Sequence, residues 1–383
     1  MGDEKIFMTS KESSDLYNPI IFLLSANDYG GVTKVTLNIC KQLKKMNIPC
    51  EIHVPYLTHY YFTKTYRTKG NISDIKLWIR YILGQLRLEF KQRKLKFCGT
   101  KINITDVKVV RYFFYPSRKR LRASKVILIQ QSTILQQILE LGITNNKIII
   151  VNHHLFTKNS GDLESTETKH PVQIVVSSRF TANEIEEIGI KKYSLIHLGV
   201  DFETFNPRNR IEKNSNRVNI GIYFHMHQRK NPKLMVEIVQ QLIENRNIDI
   251  EIQVFGNPIN RYFKSDKVTS HVGLTESEYA RLIANCDVFV FASNMEGFGL
   301  PPLEAMASGV AVISTGVGAI PEYMTPSSGV LIEPNSSKEV WLSQILNLVN
   351  NKNRRIELGA AAYIQAQNYT WEKTTLKYLE LIK

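Results

Sequence analysis

Short apolar runs alternate with polar loops and helix-like stretches along the chain, a pattern typical of parallel α/β proteins. The first half opens with a predicted buried strand at residues 19–25, a helix at 32–46 and a second strand at 50–54. Further buried strands are predicted at 126–130, 147–151 and 173–176, followed by a helix at 179–188 that Ser178 caps. A βαβ unit therefore begins the chain.

A polar stretch at residues 206–217 is the best candidate for a linker, because a second α/β series begins directly after it. This second series comprises predicted strands at 218–224, 248–255, 288–291 and 310–313, and predicted helices at 233–245, 276–284 and 370–382. A length of 383 residues also exceeds what one ordinary hydrophobic core organises. The pattern predicts two similar α/β halves with a cleft between them.

Composition excludes several classes of protein. Hydrophobic residues make up 43% of the chain and charged residues 22%, as in ordinary globular proteins. No apolar run reaches the ~18–20 residues that span a bilayer, and the polar start of the chain does not resemble a signal peptide. The cysteines are scattered, which favours a reducing cytoplasm. The histidines and acids show no metal-ligand spacing, and there is no Asp-x-Asp motif, so no metal is expected.

The net charge of +14 is concentrated in one region. Residues 57–125 contain 18 lysines and arginines against three acids, and the rest of the chain is close to neutral. Residues 75–94 are amphipathic when read as a helix, and 118–122 form a second basic cluster. We expect docking on an anionic membrane surface or acceptor; the alternative is a solvated helix packed on its sheet. Nucleic acid is not an expected partner, because no binding motif accompanies the charge.

Two glutamates, Glu296 and Glu304, are the most informative residues, with seven residues between them. They follow a predicted strand, and the carboxyl ends of strands are where open α/β sheets bind ligands. Gly297 and Gly299 let the backbone approach a ligand closely, with amides free to face an anion. One carboxylate can therefore face a reacting group while the other binds a second part of the same ligand.

In this strand–turn–helix context, Glu296, Glu304 and the Gly-Phe-Gly-Leu-Pro between them resemble the E-x7-E signature of glycosyltransferase family 4. Its members are retaining, nucleotide-sugar-dependent enzymes with the GT-B fold. Supporting matches, in family order, are Gly30-Gly31 and residues 177–180, 198–201, 205–207, 229–232 and 369–372. Each is weak alone, but their order and spacing together make the resemblance specific over most of the chain.

The resemblance implies two Rossmann-like domains facing each other across a cleft. Residues 1–205 would form the acceptor-side domain, with a terminal helix at 368–383 packing back on it. Residues 206–367 would form the domain that binds the nucleotide sugar.

By resemblance, the diphosphate of the donor would lie against Arg229 and Lys230, of which Lys230 matches the family lysine. His225 stands where the family has an arginine, so either His225 binds phosphate as imidazolium or Arg229 substitutes. Glu304 would accept hydrogen bonds from the ribose hydroxyls. Glu296 would face the transferred sugar and stabilise an oxocarbenium-like transition state.

Other contacts are also implied by the resemblance. Backbone amides to the sugar and phosphate would come from Gly297, Phe298, Gly299 and Leu300. His153, or its neighbour His154, would reach the sugar from the opposite domain, and Gly31 would let the first loop approach the phosphates. Glu322 is expected to be structural.

The resulting expectation is a cytoplasmic, metal-independent, cofactor-free glycosyltransferase that acts with retention. Its partners would be a nucleotide sugar and a glycan or lipid-linked acceptor, with bacterial surface-glycan assembly at the inner membrane face as the setting. The alternatives are a non-catalytic GT-B partner subunit and a nucleotide-sugar epimerase.

Overall fold

The computed structural model describes residues 18–24, 31–55, 107–112, 116–129, 138–139, 141–143, 147–152, 172–211, 216–256 and 263–382. The predictions for His153, His154, Gly30 and residues 75–94 lie outside this part of the chain.

The first sheet has seven strands in the order β3-β2-β1-β4-β5-β6-β7, and every neighbouring pair is parallel. Its strands are β1 (Ile20–Leu23), β2 (Cys50–Pro55), β3 (Lys108–Tyr112), β4 (Val126–Ile129), β5 (Lys147–Asn152), β6 (Gln173–Val176) and β7 (Ser194–Leu195). The interior strand β1 is apolar throughout and fully buried, because helices cover both faces of a parallel sheet.

The second sheet has six parallel strands in the order β10-β9-β8-β11-β12-β13. Its strands are β8 (Val218–Phe224), β9 (Ile250–Gly256), β10 (Val268–Ser270), β11 (Val288–Phe291), β12 (Ala311–Thr315) and β13 (Val330–Ile332). The GT-B architecture predicted from the sequence is confirmed: the protein has two parallel α/β sheets, each with its own helices.

The described helices are α1 (Gly31–Lys45), α2 (Arg118–Ala123), α3 (Arg179–Glu187), α4 (Pro232–Glu244), α5 (Glu276–Ala284), α6 (Leu300–Ala307), α7 (Ile320–Tyr323), α8 (Lys338–Asn350), α9 (Lys352–Ala366) and α10 (Trp371–Ile382). Ser178 caps α3 as predicted, and Thr181 completes a capping box. Within the described residues, no helix combines the length and the hydrophobicity that crossing a membrane requires.

The two halves of the chain share a continuous apolar core. One buried cluster contains residues of the first domain, such as Val35 and Leu37, together with residues of the second, such as Phe255, Phe289 and Leu303. Helix α1 contributes all of its buried apolar residues to this cluster, so it lies between its own sheet and the second domain.

The chain passes between the two sheets twice, and the two passes lie side by side. Val200 and Thr370 form a parallel bridge, and the Val200 amide donates to the Tyr369 carbonyl at 3.0 Å. Gly199 sits so close that a Cβ there would overlap the backbone of Thr370. Helix α10 then packs on α1 of the first domain, with Trp371 buried at its start.

Candidate functional site

The turn after β11 carries the first glutamate and depends on Gly299. This residue has φ +86° and caps the start of α6. A Cβ at Gly299 would lie 2.9 Å from Cγ1 of Ile320, so both the backbone and the space require glycine. The Tyr323 hydroxyl donates to the Gly299 carbonyl at 2.6 Å and fixes the turn. Glu304 therefore points from the second turn of a firmly placed helix.

Glu296 is nearly buried and is held by two donors of its own domain. Lys230 donates to its Oε1, and the Ser293 hydroxyl donates to the same oxygen at 2.6 Å. The Lys230 ammonium also lies 4.9 Å from the centre of the Phe291 ring. Burial lowers the pKa of Lys230, and Glu296 opposes that shift. Glu296 is thus the counter-ion of Lys230, the lysine that is predicted to bind the diphosphate.

The loop after β8 brings Arg229 beside this pair. The Asn294 amide donates to the Arg229 carbonyl at 2.7 Å, which joins the loop to the turn that carries Glu296. Nε of Arg229 is buried without a hydrogen-bond partner. An unsatisfied guanidinium nitrogen at this position can bind an anion.

His225 lies in the same loop but is a poor second cation. Its Nδ1 accepts from the His227 amide at 3.0 Å. Burial lowers its pKa, and the nearby positive charges of Lys230 and Arg229 lower it further. These effects disfavour the imidazolium form of His225, and which of His225 and Arg229 is the second cation for the diphosphate stays a prediction.

Glu304 is bound from the opposite domain. Lys34, on α1, donates to its Oε1 and lies 3.1 Å from Oε1 of Glu276 on α5. The Lys34 ammonium also lies 4.9 Å from the centre of the Phe205 ring. Burial lowers the pKa of Lys34, but Glu304 and Glu276 raise it more, to a value above the ordinary range. Burial raises the pKa of Glu304, and Lys34 opposes that rise.

The remaining predicted residues surround the same turn. Gly297 and Phe298 are buried, and the Phe298 ring packs against Tyr323 with ring centres 5.5 Å apart. Leu300 begins α6. Gly31 begins α1, and nothing lies within 4 Å of where its Cβ would be. The structure therefore brings Gly31 into the helix that supplies Lys34, one turn before that residue.

Glu322 and His197 form an interdomain contact. His197 Nε2 lies 2.7 Å from Oε2 of Glu322, and the Arg179 amide donates to Oε1 of Glu322 at 2.7 Å. The Tyr369 hydroxyl donates to the Glu322 carbonyl at 2.7 Å. The carboxylate thus caps helix α3 of the first domain.

The basic cluster at 118–122 contains one residue, Arg120, that also pairs with a buried acid. Leu121 is buried, and Arg120 binds the buried carboxylate of Glu51 at 3.2 Å. Lys108 lies 2.7 Å from the same carboxylate. All four basic side chains of the cluster are exposed: Arg118, Lys119, Arg120 and Arg122.

Sequence reasoning missed Lys34 and Ser293. Lys34 carried a usable signal: it interrupts a helix whose neighbouring positions are apolar or small on nearly every side, so a charge there requires a partner. Ser293 carried none. Within the described residues, no three His, Cys, Asp or Glu side chains come together as a group that could hold a metal ion.

The chain is similar to known glycosyltransferases in sequence and in fold. Residues 204–365 match the family described as Glycosyl transferases group 1. The chain is 30% identical over 202 residues to D-inositol 3-phosphate glycosyltransferase of Pseudarthrobacter chlorophenolicus, a match that covers 48% of each protein. It is 21% identical over 413 residues to the protein of that name from Corynebacterium diphtheriae, covering 96% of this chain and 91% of that one.

The fold also matches that of a solved structure, HepE of Anabaena in complex with UDP and glucose. The TM-score is 0.69 at 13% identity, over 95% of this chain and 99% of HepE. Several curated matches, including the first above, span only about half the length of the relative. The resemblance is confirmed: the protein has the GT-B fold of glycosyltransferases, and residues 204–365 match glycosyl transferases group 1.

Proposed function

We propose that this protein is a retaining glycosyltransferase that moves a sugar from a nucleotide-sugar donor to an acceptor hydroxyl. The observation that carries the proposal is the pair Glu296 and Glu304, presented on one glycine turn at the carboxyl end of β11, each with a lysine counter-ion. HepE, a relative in fold, binds UDP, which supports a nucleotide as ligand.

The chemistry follows from the charges. A leaving nucleoside diphosphate carries at least two negative charges, and Lys230 and the unpartnered Arg229 nitrogen would bind them. As Lys230 turns to the diphosphate, Glu296 loses its counter-ion and its negative charge becomes available to the sugar. That charge would stabilise the positive charge that develops at the anomeric carbon.

The test begins with a thermal-shift screen of UDP, GDP and dTDP. Hydrolysis and transfer assays with the matching nucleotide sugars follow, and NMR of the product gives its anomeric configuration. Transfer with retention is expected. An inverted product would contradict the retaining mechanism, an epimerised donor without acceptor would indicate an epimerase, and an inert chain would indicate a partner subunit.

The setting is proposed to be the cytoplasmic face of a membrane, with a glycan or lipid-linked acceptor and without a metal or cofactor. The support is the charge of residues 57–125 and the exposed Arg118, Lys119 and Arg122. Activity in EDTA equal to that with magnesium would agree with metal independence.

Vesicle flotation tests the membrane part. Lys119→Glu/Arg122→Glu should weaken binding to vesicles of phosphatidylglycerol and phosphatidylcholine by about thirtyfold or more, since two lost attractions of ~1 kcal/mol each total ~2 kcal/mol and each reversal also adds a repulsive charge. Arg120 is left in place because it stabilises buried Glu51. The matched control is Lys191→Glu/Lys192→Glu, an equal charge change on exposed lysines. Equal flotation of both variants would contradict the role of the cluster.

A further inference from the structure

We propose that Lys34 is a positioning residue for the donor: from the first domain, it holds the Glu304 carboxylate charged and oriented for the ribose hydroxyls. The inference rests on the proposed function, since it assigns Glu304 to the nucleotide. It goes further by making nucleotide binding depend on a side chain of the opposite domain.

The contacts of Lys34 are specific. Its ammonium donates to Oε1 of Glu304, lies 3.1 Å from Glu276 and faces the Phe205 ring at 4.9 Å. The Glu304 side chain is only 4% exposed and that of Lys34 is 23% exposed. An ammonium placed between two carboxylates and an aromatic ring is fixed in position, unlike a surface lysine that moves in water.

Glu304 needs this cation. Burial disfavours its charged form, and Glu276 disfavours it further by like-charge repulsion. Burial raises the pKa values of the Tyr279 and Tyr323 hydroxyls, and the nearby charge of Glu304 raises them further, so they remain protonated. Besides these groups, Lys41 lies 3.8 Å from Glu276 on its more exposed side. Lys34 is therefore the cation that contacts Glu304 among the described residues.

Removal of Lys34 has a defined chemical consequence. The carboxylates of Glu304 and Glu276 would remain close together in buried surroundings without Lys34 between them, and one of them would take up a proton. A protonated Glu304 accepts less well from two vicinal hydroxyls than a carboxylate does, because charge-assisted hydrogen bonds are about twice as strong. Nucleotide affinity should then fall, and should fall most at low pH.

The test measures the dissociation constants of UDP and GDP by calorimetry from pH 6 to pH 8. For the nucleotide that wild type binds more tightly, Lys34→Met should weaken binding at least ~tenfold at pH 7, and the loss should grow toward pH 6. Lys34→Arg should recover most of the affinity. Adding Glu276→Gln to Lys34→Met should recover part of it, since one of the two competing carboxylates is gone.

The matched control is Lys45→Met, which removes a lysine–carboxylate pair on the same helix, to Glu203 at 2.8 Å, away from the turn. It should bind as wild type does. If wild type binds neither of these nucleotides, nor dTDP in the thermal-shift screen, the proposed function and this inference both fail. If wild type binds and Lys34→Met matches it at every pH, only the inference fails. Tighter binding by Lys34→Met would also overturn it, because Lys34 would then compete with the nucleotide.

Discussion

The two glutamates at the turn have counter-ions of different origin. Lys230, which binds Glu296, belongs to the same domain, whereas Lys34, which binds Glu304, comes from the other. The local pair can exchange partners when an anion arrives, without any movement of the domains. The interdomain pair instead links Glu304, the carboxylate proposed to bind the ribose, to the relative position of the two halves.

Replacement of Glu296 by glutamine tests its charge while keeping its size. We expect Glu296→Gln to lower the rate of sugar transfer by about 100-fold or more, the usual effect of losing one electrostatic contact to a transition state. UDP affinity should stay within a few-fold, because Lys230 is still present. Glu333→Gln, at an exposed position, is the control. A transfer rate within twofold of wild type would contradict the role of the charge.

Glu184 provides a prediction about stability and pH. Burial, and then repulsion from Glu187, raises its pKa from 4.5 to about 7, and its Oε2 is buried without a partner. Between pH 4.5 and about 7 the folded protein thus binds more protons than the unfolded chain, so the free energy of unfolding falls as the pH rises through this range. Glu184→Gln should raise the melting temperature by about 1–2 °C at pH 8 and leave it unchanged at pH 4. An equal effect at both pH values would contradict this origin.

At the scale of elements, the strand–turn–helix unit from β11 to α6 determines where both glutamates lie. Its conformation depends on Gly299, which has φ +86° and has Ile320 packed against it. Gly299→Ala should therefore cost about 1–3 kcal/mol of unfolding free energy and abolish the thermal shift by UDP. Gly316→Ala is the control, since its Cβ would have only ordinary contacts, at 3.7 Å and beyond. Equal melting temperatures for the two variants would show that the turn tolerates a side chain.

How much could be predicted from the sequence also differs by element. Apolar strands such as Val288–Phe291 were found because burial on both faces leaves a continuous hydrophobic run. Strands Lys108–Tyr112, Val268–Ser270 and Val330–Ile332 were missed, because they are short or half-exposed and give no clear period. Helix Lys352–Ala366 was missed because small residues and polar ones mix along it, and it packs by close approach of Gly359 to a neighbouring backbone.

The candidate site was predictable where one segment carries it. Glu296, Glu304 and the glycines between them are neighbours in sequence, so their spacing alone located the turn. Lys34 and Ser293 contact this turn only after folding, and the partner of a buried charge cannot be read from spacing. For the same reason the sequence did not reveal the ion pair of Arg120: its partner, Glu51, lies on a strand far away in sequence.

At the scale of the whole molecule, Glu322 connects the domains through His197 and the amide of Arg179. Glu322→Ala should remove the acceptor of the Arg179 amide at the start of α3 and the contact to His197 together, lowering the melting temperature by about 2–4 °C. It should also increase the radius of gyration measured by X-ray scattering, as the domains separate more easily. Glu333→Ala serves as the exposed control. An unchanged radius and melting temperature would show that other contacts hold the domains.

The two adjacent passes of the chain between the sheets have a mechanical consequence. A single tether would let the second domain swivel and tilt in any direction, but two tethers bridged at Val200 and Thr370 restrict any relative movement of the domains to rotation about an axis near that bridge. In such a rotation, points far from the axis would travel furthest, while residues beside it would barely move. The Glu322–His197 contact, beside Tyr369, lies near this axis. The farther Lys34 lies from the axis, the smaller is the rotation that breaks its bond to Glu304.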